Sequence, residues 1–365
     1  MAADSLPGQM RSAASTLLAS LDGPQRELAA RSFTDDARRW LEYRPAPRPG
    51  ACIADMGGPA RKAAHRLLAT GLSEHAYAQA MAIVALEEVL DRGEGWLLGR
   101  HSGDYWVAVF GDPAGHEPWS WRFEGHHLSV TMTVSGDEIS PAPVFLGANP
   151  ACVSYAGRAV SRPLAPEEDV ARALLDALGP AGRAIAVVSD QAPADIRTGT
   201  RPRAQEHIEP PGIAAARLGP TPRAVLGQLV ALYLGRLADG LAAREAARVT
   251  AGELHFAWEG PTTPGQRHYY LVQGDDLLIE YDNTSSDGNH AHTVLRRPRS
   301  DFGGDVLAAH YRRAHCAAPS RGDPGRDMPA AHYRRAGPDA EPARRAGAGA
   351  RRDSPARPGR HSVAA

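Results

Sequence analysis

The sequence predicts an α+β fold: a mostly antiparallel sheet, running as a meander in the C-terminal half, flanked by helices and followed by a disordered tail. Three observations lead there. Apolar residues recur at helical spacing through the first 95 residues, the period changes to two from Asp104, and the composition shifts to Arg, Pro, Ala and Gly after residue 315. With 365 residues, 43% apolar and 23% charged, the chain can bury a core without disulfides or a structural metal. It reads as one body over residues 10–315, helical over 10–95 and sheet-forming over 104–311, with the tail at 316–365.

The elements follow in order. Residues 10–31 carry few breakers and set Ala14, Leu17, Leu18 and Leu21 at helical spacing. Residues 35–43 are a weaker helical turn, interrupted by the Pro-rich 45–50. Residues 58–69 and 73–90 form a helical pair, the second opened by Ser73 and Glu74. Residues 105–110 read as a strand, 119–134 as a longer extended stretch and 141–145 as its continuation. The helix at 166–178 has Pro166 in its first turn and Gly179 past its end, and 185–188 form a short strand. Residues 191–222 lack periodicity, and a loop that long in a compact domain is usually functional or mobile. One amphipathic helix spans 221–247, with Leu226, Leu229, Val230, Leu232, Tyr233, Leu234 and Leu237. Strands at 253–258, 268–273, 276–281 and 290–296 and a helix at 305–311 close the body.

Charge and composition exclude several functions. Residues 312–365 hold twelve arginines against five acidic residues, so the other 311 residues carry a net −8 of the total −1. An acidic body lacks the basic footprint of a nucleic-acid binder. No apolar run reaches the 18 residues of a membrane span, and residues 1–19 lack the basic start and apolar block of a secretory leader. Cys52, Cys152 and Cys316 are far apart and form no CxxC, which argues against a disulfide scaffold, a zinc ribbon or thioredoxin chemistry. The chain reads as a cytoplasmic protein acting on a small molecule, without nucleic acid or membrane as partner. Its exact repeat, AAHYRRA at 308–314 and 330–336, is either a duplicated recognition element or a slipped duplication in the tail. Two short copies cannot build a repeat architecture, which favours the second.

Chemistry concentrates between residues 268 and 296. A two-residue turn at Gly274-Asp275 would pair Tyr269 with Glu280, and a second hairpin would pair Asp282 with His290 and Glu280 with His292. Alternation then puts Leu277, Ile279, Tyr281, Ala291, Thr293 and Leu295 on a core face and Glu280, Asp282, His290, His292 and Tyr269 on the other. Two imidazoles and a carboxylate in adjacent rows are a ligand set for a divalent metal with open positions. The same pattern also arises from Asp–His and Glu–His pairs on a solvated sheet face.

A second cluster lies at 119–129. Apolar residues fall on odd positions through Trp119, Trp121 and Phe123, and on even positions from Leu128 to Val134, so the phase switches at Gly125-His126. A bulge or tight bend there would re-aim His126 and His127 as further ligands or a general base. A buried histidine hydrogen-bonded to a neighbouring strand is the plainer alternative. Arg122 and Glu124 share one face just before it. Gly-x-Ser-x-Gly, the Walker A pattern and H-E-x-x-H are absent.

The order of these motifs resembles a known family. Residues 119–129, Pro143-Val144-Phe145-Leu146-Gly147, Phe256-Ala257-Trp258-Glu259-Gly260, Ile279-Glu280-Tyr281-Asp282-Asn283, Asn289-His290-Ala291-His292 and Asp301-Phe302-Gly303 look like the bacterial family of unknown function catalogued as DUF 3500. The resemblance covers roughly residues 14–311. It implies no settled activity, but it makes both Gly125-His126-His127 and Asn289-His290-Ala291-His292 family motifs. The sequence departs from the pattern at 57–62, which lacks a Gln-Arg pair, and in continuing past His310-Tyr311.

The resulting expectation is a metal-dependent oxidoreductase or hydrolase. His290, His292 and Glu280 would bind iron or zinc, with Asp282 as ligand or as partner of an imidazole. His126 or His127 would complete the site or act as acid/base, and Tyr269 and Arg122 would orient substrate. The alternative is a non-catalytic small-molecule binder, with Trp119, Trp121, Trp258 and Tyr269 lining a pocket and the histidines only hydrogen-bonding.

Overall fold

A computed structural model describes residues 5–97, 101–250 and 253–315, all within one compact unit, Met1–Ala317. The tail assigned to 316–365 lies outside the described residues.

The chain starts with α1 (Leu6–Ser20) and α2 (Gly23–Ala29), followed by β1 (Ala30–Arg31), β2 (Ala51–Cys52), α3 (Gly58–Gly71) and α4 (Glu74–Gly93). The single helix expected over 10–31 is broken because Asp22 caps a new one, its Oδ1 accepting from Gln25 N at 2.8 Å with Pro24 in the first turn. Ser73 caps α4 in the same way, accepting from Ala76 N at 3.2 Å. The strands β3 (Tyr105–Phe110), β4 (Trp119–Gly125), β5 (Leu128–Ser135), β6 (Glu138–Ser140) and β7 (Val144–Ala148) come next, then the small hairpin β8 (Val153–Tyr155) and β9 (Arg158–Ser161). Helix α5 (Ala165–Ala186) kinks at Gly179, which has a φ of 62° just before Pro180.

After β10 (Val187–Ser189) and β11 (Ile213–Ala214), the helix expected over 221–247 divides into α6 (Pro220–Leu234) and α7 (Asp239–Arg248). The break is made by tertiary pairing. Leu237 bridges to Leu72, Ala238 N donates to Gly71 O, and Ser73 N donates to Arg236 O. The last elements are β12 (His255–Glu259), β13 (Tyr269–Gln273), β14 (Leu278–Ser285), β15 (His290–Arg296) and α8 (Gly304–His315).

Thirteen of these strands form one mixed, mainly antiparallel sheet with the spine β1-β3-β4-β5-β7-β15-β14-β13-β12-β10. The spine reads the same way from both ends because the chain contains one unit twice. β1 runs parallel to β3, and β10 runs parallel to β12; β2 and β11 add antiparallel to those same strands. The registers coincide as well. Trp106 faces Glu124 and Glu124 faces Ser129, while 149 residues later His255 faces Gln273 and Gln273 faces Leu278. Gly50 and Gly212 occupy matching places, at φ 139° and 78°. A Cβ on Gly50 would collide with Val107 O, and one on Gly212 with Phe256 O. The two units meet where β7 pairs with β15.

One face of the sheet is buried beneath the helices in a single large core containing Trp119, Trp121, Met132, Trp258, Tyr270 and Tyr281. The other face is closed by two matching loops, residues 32–50 and 190–212. Leu41, Tyr43 and Ile196 from these loops pack on Phe145 and Val294, and Ile208 packs on Tyr269 and Leu271. The polar strand face is therefore buried, not solvated. The long unpatterned loop is its lid, pinned by Gln273, which bonds both N and O of Ile208 at 2.9 and 2.8 Å. The aromatic pocket of the binder alternative does not form: Trp119, Trp121 and Trp258 lie in the helix-side core and Tyr269 on the opposite face.

Candidate metal centre

The site is built on a two-residue turn. Gly125 pairs with Leu128, so His126 and His127 are the central residues of a tight hairpin, rather than of a bulge. His127 has a φ of 61°, a left-handed conformation that costs a non-glycine residue about 1 kcal/mol or more. It is held there by bonds to both neighbours: His127 N donates to Tyr43 O at 3.1 Å, and Gly147 N donates to His127 O at 2.7 Å. The His126 ring lies against that of His127, centroids 3.6 Å apart, and its Nδ1 meets both oxygens of Glu87 on α4 at 2.8 and 2.9 Å.

Strand β15 brings the other imidazoles. The H-x-H spacing points His290 and His292 to the same side, and His290 Nε2 comes within 2.8 Å of His127 Nε2. His292 Nδ1 bonds Asp195 Oδ1 at 2.9 Å and lies 3.3 Å from Asp282 Oδ2, which leaves its Nε2 for a ligand role. Burial alone would lower the His292 pKa, but Asp195 and Asp282 outweigh it and push it up to about 9, so an ion bound at Nε2 would displace a proton from it. Asp195 is correspondingly held below the usual carboxylate range, burial being outweighed by His292 and Tyr43. Tyr43 donates to Asp195 Oδ2 at 2.8 Å and stacks on Phe145 at 4.2 Å, so two rings wall the His292 side.

Three overlapping groups of possible ligands result: His127, His290 and His292; Glu87, His126 and His127; and Asp195, Asp282 and His292. Two observations fit a cation. Asp282 Oδ1 accepts from Thr284 N and Oγ1, while its Oδ2 is buried and, among the described residues, has only the 3.3 Å ion-pair approach of His292 Nδ1 beside it. Gly147 leaves the space the rings occupy, since a Cβ there would lie 2.8 Å from His127 Cδ2 and 3.1 Å from His292 Cδ2. Zinc–imidazole bonds of about 2.0–2.1 Å set neighbouring ligand nitrogens roughly 3.0–3.4 Å apart, a small opening of the His127–His290 pair.

The expected site residues divide. His127, His290, His292 and Asp282 come together. Glu280 does not join these groups. The turn after β13 centres on Asp275-Asp276, one residue later than expected, with Gly274 N donating to Leu277 O, and β14 carries an irregularity between Asp282 and Ser285, so both registers slip by two from the expected ones. Tyr269 and His292 each face Asp282, and Glu280 faces Val294. An even slip keeps every side chain on its expected face. Glu280 is fully buried and accepts from Arg197 N, Thr198 N, Thr198 Oγ1 and Tyr269 OH. Burial still pushes its carboxyl up despite these donors. It anchors the loop that carries Asp195.

Tyr269 is thus committed to Glu280. Arg122 bonds the carbonyls of Ala37 and Pro49 and pairs with Glu124 at 3.5 Å, so it fastens the first loop and does not join the histidine cluster. Glu87, Asp195, Tyr43 and Gly147 were not legible as site residues. Only Glu87 left a signal, an acid on the buried stripe of Ala76, Ala80 and Ile83. Asp195 lies in a segment without periodicity.

Fold and site together define an α+β protein of two like units with a buried histidine–carboxylate cluster capable of holding a metal ion. The chain belongs to the family described as Protein of unknown function (DUF3500), whose model matches residues 5–304. No curated protein and no solved structure matches it. No helix among the described residues is long and apolar enough to cross a membrane.

Proposed function

We propose that the chain binds one divalent ion, iron or zinc, through His127, His290 and His292 with a carboxylate of Asp282 or Asp195, and uses it in the oxidation or hydrolysis of a small molecule. The observation carrying this reading is the gathering of three imidazoles with ligand nitrogens within 4.8 Å of one another, one of them tied back by Asp195, beside a buried Asp282 oxygen whose sole neighbour of opposite charge among the described residues is His292 at 3.3 Å. A bound ion would supply Lewis acidity to a water or substrate oxygen. The chain's own residues orient and move protons. Asp195 fixes which nitrogen of His292 carries its hydrogen, and its partly exposed carboxylate, held by the buried Tyr43, links that ring to the surface. His126, backed by Glu87, is the acid/base nearest the cluster.

The test is elemental analysis of the purified full chain beside His127→Ala, His290→Ala and His65→Ala, His65 being a half-buried histidine on α3. Near-stoichiometric metal is expected in the parent and in His65→Ala and not in the other two. No metal in the parent after reconstitution with iron, zinc, manganese and copper would overturn the reading. The 2.8 Å approach of His127 and His290 would then be a hydrogen bond within a structural histidine cluster.

A further inference from the structure

The two loops that close the polar face leave a groove of about 750 Å³ between them, within the usual size of a small-molecule site. Arg39, Trp40 and Arg44 stand on one wall, Arg201 and Arg203 on the other. Since the loops are matching parts of the two units, the groove lies over their seam, above the cluster in which Leu41, Tyr43 and Ile196 cover Phe145 and Val294.

Its charge is unusual for this molecule. Four arginines face two acids, Asp36 and Glu42, giving the lining a net +2 on a body that is net negative. Arg44 is locked on Glu42 by a fork of bonds at 2.9 and 2.7 Å. The guanidinium groups of Arg39, Arg201 and Arg203 are exposed and have no hydrogen-bond acceptor or ion-pair partner among the described residues. Unpaired guanidinium forks match carboxylate and phosphate oxygens two at a time. Trp40, 41% exposed, offers an apolar face between them.

We propose that this groove binds a small organic anion bearing two or more carboxylate or phosphate groups, with its apolar part packed on Trp40. The inference goes beyond the metal reading and does not require it. The two sites are nevertheless neighbours: Tyr43, between Glu42 and Arg44 of one wall, donates to Asp195, which holds His292.

The test titrates the full chain with citrate, benzene-1,3,5-tricarboxylate and inorganic pyrophosphate by calorimetry, at low and at physiological salt. Citrate against pyrophosphate separates carboxylate from phosphate recognition, and the aromatic acid reports on Trp40. Saturable, salt-sensitive binding of at least one probe is expected. It should weaken at least tenfold in Arg39→Gln/Arg201→Gln/Arg203→Gln and, for the aromatic acid, in Trp40→Ala. It should persist in His290→Ala, which removes an imidazole of the centre and leaves the groove intact. Absence of saturable binding, binding unchanged in the triple variant, or loss in His290→Ala would each overturn the proposal, the last by assigning the anion to a bound metal. Should the triple variant not fold, Arg203→Glu alone carries the same expectation.

Discussion

His127 and His290, 163 residues apart, face each other Nε2 to Nε2 at 2.8 Å. The His127 ring of this pair lies over Gly147, as does the ring of His292. Gly147→Ala should displace the His127 and His292 rings, with a milder press on Ala291 O at 3.1 Å and no φ penalty, since this glycine is not in the left-handed region. The expected result is a metal affinity lowered by roughly tenfold or more, with a melting temperature only a few degrees lower. Unchanged affinity would show that the rings do not need this clearance.

Glu280 offers a test of anchor against ligand. Glu280→Ala strands four donors and frees the segment around Thr198, and should destabilise the chain by about 3 kcal/mol in urea denaturation. Metal bound per folded chain should stay near the parent value. A variant of parental stability that has lost its metal would restore Glu280 to the ligand set.

Stability should fall as pH falls from about 6.5 to about 4. His268 is buried between Trp258 and Tyr281, at centroid distances of 4.4 and 5.2 Å, and burial, followed by the Arg172 charge, lowers its pKa to about 4. Through that window the unfolded chain binds a proton that the folded chain refuses, so protonation favours unfolding. The full effect is about 3 kcal/mol, absent above pH 6.5 and complete below pH 4. His268→Phe should keep the stack and flatten this part of the pH–stability curve; an unchanged slope would assign it to other groups.

Matching glycines should respond alike. Gly50→Ala and Gly212→Ala each press a methyl onto a strand carbonyl from a left-handed backbone, and each should cost about 2–3 kcal/mol or more. Gly227→Ala, in the exposed middle of α6 with open space around it, should stabilise by about 0.5–1 kcal/mol. Thermal unfolding of the three variants separates these signs.

Much of the fold was legible because period and punctuation are local. Residues 105–110 and 290–296 were delimited as strands at their true ends, and the polar face of β14 and β15 was assigned correctly. The register was not legible, because a two-residue turn placed one residue later, on Asp275-Asp276, and a strand irregularity each move the pairing by two without disturbing alternation. Nor was the break between α6 and α7, which a distant bridge to Leu72 imposes on a continuous apolar pattern. Half of the candidate site was visible as H-H and H-x-H. Of its carboxylates Asp282 was visible beside His292, Glu280 turned out to be a loop anchor, and Asp195 was missed because it reaches His292 from a loop that only tertiary packing fixes.

A chain that folds one unit twice serves as its own control. Where both copies keep the same residue, as at Gly111 and Gly260, whose amides donate to Arg31 O and Ser189 O, the architecture asks for it. Where they part, architecture is not the reason. The turn that presents His126-His127 in the first copy presents Asp275-Asp276 in the second, where Asp276 clamps Arg297 at 2.9 Å beside a cavity of about 500 Å³. One scaffold thus carries two experiments in side-chain chemistry, and the difference between them marks what the histidines add beyond holding the protein together.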